Sequence, residues 1–307
     1  MKKMRIPLLV ALAVAIIGII FGSFFDFQIS SAIAGPRNMF GLAISAICPT
    51  LGFAAVAAMG GGFVAFIVKG KYHIALKILF GVLAAACLGV SIFYPAGEYF
   101  GDNGFYWVAD KWVGYLIVIL PECAAMVGGY FLFKDYDNDK MWIVFCAVVA
   151  LLLIALLAVI PIIKDNMHRP RFRLVSTSPE VDFYNWWEPC KDYKGLIKAF
   201  NLNKEDFKSF PSGHTAETSI LLVGATFFPM ASKKLQKYQL PAFIVSGALV
   251  LLVALARILA AAHFLSDVSM GATIVLLLTF IVNEVIANIK ALQPKEEAEE
   301  PAPVAEE

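Results

Sequence analysis

The sequence predicts an all-α integral membrane protein, a helical bundle with about eight transmembrane helices. Two observations support this prediction. The composition is 60% hydrophobic and only 16% charged, with a mean hydropathy of +0.74, whereas soluble domains are about 45–50% apolar. In addition, the apolar residues fall into runs of about 20, the length that crosses a hydrocarbon core as a helix.

Eight apolar runs are candidate spans, and they lie near residues 7–25, 40–68, 74–96, 113–133, 141–163, 213–230, 241–262 and 267–289. The first follows a basic start that is similar to a signal peptide. Its apolar stretch is longer than usual and no convincing cleavage site follows, so a retained anchor is expected. The second run is over-long, and Pro49 and the glycines at 60–62 predict a kink or break there.

The charge distribution predicts the orientation of the bundle. An even number of spans puts both termini on one side, together with a set of lysines that includes Lys69, Lys134 and Lys234. By the positive-inside rule this side is cytoplasmic. The acidic tail at residues 291–307 holds six Glu and one Lys, and it is expected to be disordered. The rest of the chain is net basic, which suits anionic membrane lipids.

Three short segments place basic or imidazole groups at the ends of predicted spans. They contain Lys164 and Arg171, then Ser212, Gly213 and His214, and finally Arg257, His263 and Asp267. With eight spans, all three segments share the extracytoplasmic side. Lysine, arginine and a capped helix start are groups that bind phosphate oxygens. The pattern therefore predicts a phosphate site at the membrane surface.

This pattern of Lys164-x6-Arg171, Ser212-Gly213-His214 and Arg257-x5-His263-x3-Asp267 resembles the type 2 phosphatidic acid phosphatase family, which dephosphorylates lipid phosphates without a metal. The resemblance covers roughly the second half of the chain. It departs from the family at two positions, since Phe172 stands where Pro is usual and Ala256 where Ser is usual. We expect these departures to alter loop shape or phosphate contacts rather than abolish activity.

The resemblance implies a role for each motif residue. His263 would be the nucleophile that becomes phosphorylated, Asp267 would orient it, and His214 would protonate the leaving group. The remaining motif residues would bind the phosphate; they are Lys164, Arg171, Ser212, Gly213 and Arg257. No metal-ligand spacing is present, and neither a cofactor nor a nucleic-acid partner is expected. The catalytic bundle would span residues 71–290, with two additional spans in residues 1–70.

The insertion at residues 172–210 is rich in aromatic residues and predicts a lid with one or two interfacial helices. Asn203 is a candidate cap for a short helix after it. The aromatic residues would either admit lipid headgroups or simply pack the loop. Likewise, His168 and Arg169 would either touch a second phosphate or be solvated. Contributions from Glu122 and Glu217 to the site are also open, and Cys190 is the one cysteine outside the apolar runs.

The function expected from these features is hydrolysis of a lipid phosphomonoester or diphosphate through a phosphohistidine. Candidate substrates are undecaprenyl diphosphate, then phosphatidylglycerol phosphate or phosphatidic acid. A lipid phosphotransferase, with a second lipid as acceptor, would use the same motifs and remains an alternative. A multispan transporter of a phosphorylated solute is less favoured, because transporters usually place ionisable groups at the membrane midplane.

Overall fold

A computed structural model describes residues 2–35, 38–100 and 111–289. Within these ranges the chain forms helices joined by turns and loops, and no β-strand occurs among them. Seven of the described helical segments are long and apolar enough to cross a membrane. The predicted all-α integral membrane bundle is confirmed, and the protein is a multi-pass membrane protein. The acidic tail at 291–307 lies outside the described residues.

The first half of the bundle contains α1 (Arg5–Ile33), α2 (Met39–Lys69), α3 (Ile74–Phe100), α4 (Lys111–Phe133) and α5 (Met141–Leu153), which continues through a π-helical turn (Ile154–Val159) into α6 (Ile160–Met167). The second half contains α7 (Phe172–Val175), α8 (Tyr193–Phe200), a 3₁₀ turn (Lys204–Phe207), α9 (Gly213–Thr218), α10 (Ile220–Phe227), a 3₁₀ turn (Phe228–Ala231), α11 (Lys233–Gln236), α12 (Gln239–Leu259) and α13 (Leu265–Asn288).

The predicted span at residues 213–230 is helical but interrupted, so it is not one of the seven long helices. The interruption lies at Ser219, between α9 and α10. Two successive hydroxyls bond back to the preceding turn there: Thr218 Oγ1 donates to the His214 carbonyl at 2.8 Å, and Ser219 Oγ donates to the Thr215 carbonyl at 2.7 Å. Such bonds compete with the helical ladder and bend helices.

Helix α2 is continuous from Met39 to Lys69, so the break expected at Pro49 or at the glycine triplet does not occur. The glycines serve close packing instead. A Cβ atom on Gly61 would clash with the Met126 carbonyl of α4, and one on Gly129 would clash with the Ala58 carbonyl of α2. These positions therefore let the two helix backbones touch.

The two N-terminal helices are integral parts of the bundle. Helix α2 packs against α3, α4 and α12, whereas α1 packs against α13. Gly22 permits the second approach, because a Cβ atom there would lie 2.7 Å from the backbone nitrogen of Ser266. At the far end of the same pair, Arg5 Nε lies 3.6 Å from Glu284. The two ends of α1 thus mark the two sides of the bundle.

The lysine-rich turns lie on the Arg5 side. Lys69, the last residue of α2, pairs with Asp135, after α4, at 2.6 Å, and Ser232 donates to Asp137 at 3.2 Å. By contrast, α2 begins at the opposite end, where the Gly35 backbone N–H donates to the Leu259 carbonyl at 2.9 Å. The motif segments are at this second end of the bundle, away from the lysine-rich turns.

Candidate active site

The three motif segments meet around one cavity of about 530 Å³. Its polar lining includes the predicted residues Lys164, Arg171, Gly213, His214 and His263, together with Glu217. Its apolar lining comes from Tyr94 and Gly97 of α3 and from Leu156, Ile160 and Pro161. The cavity lining therefore combines basic and apolar residues, as an amphiphilic ligand requires.

The first motif lies where α6 ends. Leu156, Ile160 and Lys164 line the cavity at intervals of four residues, as expected for one face of a helix. After the end of α6, the Arg171 backbone N–H donates to the Asp206 carbonyl at 2.7 Å. The Arg171 side chain is buried, and its Nε has no hydrogen-bond acceptor in the described part of the chain. A buried donor of this kind is available to a phosphate oxygen.

The second motif begins α9. Ser212 caps this helix, since its Oγ accepts from the Thr215 backbone N–H at 3.4 Å, and its own N–H donates to the Asp267 carbonyl at 2.9 Å. Gly213 keeps space open beside Lys164: a Cβ atom there would lie 3.7 Å from Lys164 Nζ. Ser212 thus joins the second motif to the third, while Gly213 leaves room for a ligand.

The third motif places His263 in the loop between α12 and α13. Its Nδ1 lies 2.6 Å from the carbonyl oxygen of Ser209. Because a carbonyl can only accept, Nδ1 carries the proton and Nε2 has a free lone pair. The Asp267 carboxylate is 3.8 Å from Nδ1, which is within ion-pair distance but too long for a hydrogen bond. The expected Asp267 hydrogen bond is therefore replaced by one to the Ser209 backbone.

Asp267 acts on His263 through Ser209. One carboxylate oxygen, Oδ2, accepts from Ser209 Oγ at 2.5 Å and from the Phe264 backbone N–H at 2.8 Å. The other, Oδ1, accepts from Arg169 Nη1 at 2.5 Å. Both oxygens of Asp267 therefore accept hydrogen bonds. The carboxylate holds Ser209 in place, and the Ser209 carbonyl in turn holds His263.

Arg169 neither faces a phosphate nor lies in solvent, which corrects both alternatives raised by the sequence. Its side chain is 0% exposed. It donates to Ser266 Oγ at 2.9 Å, to the Tyr184 carbonyl at 2.8 Å and to Asp26 at 2.9 Å, besides the bond to Asp267. The neighbouring His168 is also away from the cavity and stacks on Tyr193, with ring centroids 3.6 Å apart.

The electrostatic surroundings keep His263 neutral. Burial lowers the pKa of this histidine well below its ordinary value, and the Arg257 and Arg171 charges lower it further, against the opposing effect of Asp267. Arg257 is 1% exposed, and its carbonyl accepts from the His263 backbone N–H at 3.3 Å. A neutral imidazole with a free Nε2 is the form that can act as a nucleophile.

The lid, defined as residues 172–210, contains α7, α8 and the 3₁₀ turn after Asn203. The predicted cap is confirmed, since Asn203 Oδ1 accepts from the Glu205 backbone N–H at 2.9 Å. Trp186 Nε1 donates to Ser23 of α1 at 2.8 Å, so the lid is docked on the first helix. Cys190 is buried despite its place in this loop, and burial raises the pKa of its thiol.

The two glutamates left open by the sequence differ in position. Glu217 is buried and lines the cavity. Glu122 is buried in α4 away from the lining residues, and neither of its carboxylate oxygens has a hydrogen-bond partner among the described residues. Across the described ranges, no group of three or more His, Cys, Asp or Glu side chains is arranged to hold a metal ion.

Sequence comparison identifies the family. The PAP2 superfamily model matches residues 140–290. The chain belongs to the PAP2 superfamily. The matched region contains all three motifs. It starts just before α5, so α1 to α4 lie outside it. PAP2 membership supports a phosphatase-type hydrolase acting on phosphate esters. No curated protein and no solved structure matches the chain.

Proposed function

We propose that this PAP2 protein is a metal-independent lipid phosphatase that works through a phosphohistidine on His263. The observation that supports it most is the shared cavity, where basic and imidazole groups lie beside apolar residues of α3 and the π-helical turn. A lipid phosphate has the same division, with an anionic headgroup and an apolar chain. The cavity suits such a substrate better than a fully polar one.

The first half of the proposed reaction transfers the phosphoryl group to the protein. Phosphoryl transfer needs neutralised oxygens, an aligned nucleophile and a proton for the leaving oxygen. Lys164, Arg171 and Arg257 neutralise the non-bridging oxygens, the arginines through their forked donors. Nε2 of His263 forms the bond to phosphorus as the bond to the leaving oxygen breaks. His214, as the imidazolium, donates a proton to that oxygen and becomes neutral.

The second half regenerates the protein. Attack leaves a positive charge on the imidazole ring, which the Asp267 carboxylate at 3.8 Å stabilises. A water molecule then attacks the phosphorus, its proton passes to His214, and the bond between phosphorus and Nε2 breaks. Inorganic phosphate leaves, and both histidines return to their starting states.

Two further cations in the cavity lining bear on the substrate. Arg173 and Lys208 both line the cavity, although Arg173 is paired with Asp206 at 2.5 Å and Lys208 with Glu205 at 2.6 Å. They add to the motif cations in a lining that also contains Asp165 and Glu205, and a diphosphate offers them a second anionic group. We therefore rank an isoprenyl diphosphate such as undecaprenyl diphosphate first, followed by phosphatidylglycerol phosphate and phosphatidic acid.

The proposed orientation is a cell-membrane protein with cytoplasmic termini and an extracytoplasmic active site. The lysine-rich turns at Lys69, Lys134 and Lys234 lie on the side opposite the cavity. Positively charged turns remain on the cytoplasmic side of most membrane proteins. A substrate would then enter from the outer leaflet.

Release of inorganic phosphate from a panel of lipid phosphates tests the proposed function. The purified full-length protein, in detergent with a chelator, should release phosphate from at least one isoprenyl or glycerol lipid phosphate, and His263→Ala should not. Vanadate should inhibit, because it adopts the five-coordinate geometry that the cations stabilise. Release from no member of the panel, or release that requires added Mg²⁺, would overturn the proposal. A phosphorylated second lipid among the products would indicate the phosphotransferase instead.

A further inference from the structure

A carboxylate from the first helix takes part in the hydrogen-bond network beneath the active site. Asp26 of α1 is 2% exposed and lies well before the region matched by the PAP2 model. Its Oδ1 accepts from the Ser266 backbone N–H at 2.9 Å, and its Oδ2 accepts from Arg169 Nη2 at 2.9 Å and from the Ser266 hydroxyl. Such a residue is costly in a membrane helix and is expected to serve a function.

The face of α1 that carries Asp26 is shaped for close contact with α13. Gly18, Gly22, Asp26 and Ser30 are spaced four residues apart and therefore share one side of the helix. A Cβ atom on Gly18 would clash with Ser269, and one on Gly22 would lie 2.9 Å from the Ser266 Cβ. The glycines thus bring the backbones together, and the next residue of the series reaches the first turn of α13.

Arg169 connects this carboxylate to the catalytic histidine. Its two terminal nitrogens point to different acids, Nη2 to Asp26 and Nη1 to Asp267. Asp267 in turn holds Ser209 Oγ at 2.5 Å, and the Ser209 carbonyl holds His263 Nδ1 at 2.6 Å. Every member of this series is buried. Movement of Arg169 would therefore reach His263 through three hydrogen bonds and two intervening residues, Asp267 and Ser209.

The charges of the group also fit the reaction. Two carboxylates and one guanidinium give a net charge of −1 beside a neutral His263. When the imidazole becomes positive on attack, the group as a whole becomes neutral. Without Asp26, the guanidinium of Arg169 would cancel the charge of Asp267, and the positive ring would lose stabilisation on its Nδ1 side, in a buried place where charge separation is costly.

We propose that Asp26 is a positioning residue for the reaction at His263. It holds Arg169 against Asp267 and supplies a second negative charge that stabilises the positive imidazole ring formed on attack. The proposal rests on the proposed function, in which His263 is the nucleophile. Asp26 lies behind Arg169 and not in the lining of the 530 Å³ cavity, so it acts on the rate of phosphoryl transfer and not on substrate binding.

The test compares Asp26→Asn with Ser30→Ala in the full-length protein in detergent. Asparagine keeps the shape and one of the two acceptor oxygens but removes the charge. Ser30 is a matched control, because it is buried one turn later on the same face of α1. Rapid-quench trapping gives the rate of phosphoenzyme formation per folded molecule, and steady-state assays give kcat and KM.

We expect Asp26→Asn to reduce both kcat and the phosphorylation rate by about 10–100-fold, as outer residues that orient a histidine do in metal sites, with KM unchanged. Ser30→Ala should match the wild type in both rates. If Asp26→Asn lowers only the melting temperature, with kcat per folded molecule equal to wild type, the residue is a structural anchor and the proposal is overturned.

A second variant covers the case in which Asp26→Asn does not fold. Ser266→Ala keeps both carboxylates and removes only the hydroxyl that contacts Asp26 and Arg169. It should lower the phosphorylation rate in the same direction at unchanged KM, and an unchanged rate would overturn the proposal. The wild-type protein distinguishes these results from failure of the proposed function. If the proposed function is wrong, the wild-type protein itself should trap no phosphate.

Discussion

The imidazole of His263 is held by the backbone of Ser209, whose carbonyl oxygen lies 2.6 Å from Nδ1. The bond fixes which ring nitrogen is free to react, because the carbonyl can accept a proton donor and nothing else. Asp267 restrains Ser209, because its carboxylate accepts a hydrogen bond from the Ser209 hydroxyl. The position of the His263 ring therefore depends on both the lid segment and α13.

The two histidines should be separable by their roles. His263→Ala removes the nucleophile, so we expect a loss of more than about 10⁴-fold in kcat and no phosphoenzyme. His214→Ala leaves attack possible and should lose about 10²–10⁴-fold, the usual contribution of acid–base catalysis. It should recover best with an aryl phosphate, whose leaving group needs no proton. Rapid-quench trapping of acid-labile phosphate measures both, and phosphate trapped on His263→Ala but never on His214→Ala would reverse the assignment.

Replacing Arg169 and replacing Arg171 should have different effects on stability and activity. Arg169→Met leaves Asp26 and Asp267 buried without their cation, and we expect a loss of about 3–5 kcal/mol in unfolding free energy. Arg171→Met removes a cation from the cavity lining, so it should raise KM and lower kcat with a smaller effect on stability. Thermal unfolding in detergent and phosphate release distinguish them. A larger loss of stability in Arg171→Met would contradict the structure.

The pH dependence should reflect the depressed pKa of His263. Burial, Arg257 and Arg171 lower this pKa, and Asp267 opposes them. In the proposed mechanism the neutral imidazole is the nucleophile, so a lower pKa preserves activity as the pH falls. The acid limb of kcat/KM that belongs to His263 should therefore lie below about pH 6.5, the ordinary histidine value. Arg257→Gln should move this limb upward, and a wild-type limb above the ordinary value would contradict the prediction.

The sidedness can be tested with introduced cysteines. Cys190 is a poor reporter, because its thiol is buried and burial raises its pKa. Glu180 of the lid and Gln236 of α11 are both exposed and lie toward opposite ends of the bundle. In intact cells, an impermeant thiol reagent should label Glu180→Cys, and it should label Gln236→Cys only after the membrane is broken. The opposite pattern would place the active site in the cytoplasm.

Neighbouring glycines of α4 offer a matched pair for helix packing. A Cβ atom on Gly129 would clash with the Ala58 carbonyl, whereas one on Gly128 meets nothing within 4 Å. We expect Gly129→Ala to destabilise the protein by about 1–3 kcal/mol through overpacking. Gly128→Ala should be neutral or stabilise by about 0.5–1 kcal/mol, as alanine does in helices. Equal melting temperatures for the two variants would show that α2 and α4 are not in close contact.

The convergence of the motifs was predictable because it follows from span order. Lys164, His214 and His263 each lie at the end of an apolar run, and the number of runs puts those ends on one side. The Asn203 cap was predictable for a similar reason, since a local side chain satisfies a local N–H group. The cap depends on residues close in sequence, and the convergence of the motifs depends on successive spans ending on alternate sides of the membrane.

The parts of the site that the sequence did not predict depend on contacts between residues far apart in the chain. Ser209 acts through a backbone carbonyl, which has no signature in the sequence. The predicted first span ended at residue 25, yet α1 continues to Ile33, and Arg169 pairs with the Asp26 charge inside the protein. The one available signal was the acidic residue itself, as such residues at membrane depth commonly mark functional sites. Its partner could not be deduced, because it lies 143 positions away.

The contact of α1 with α13 limits how this protein can be divided into modules. The region recognisable as PAP2 starts at residue 140, but Ser266 and Arg169 find one of their partners on a helix that precedes it. A fragment cut at the family boundary would retain every motif and lose one of the two counter-ions of a buried guanidinium. Chimeras made by exchanging N-terminal helices between PAP2 proteins would therefore have to transfer Gly18, Gly22 and Asp26 as a unit.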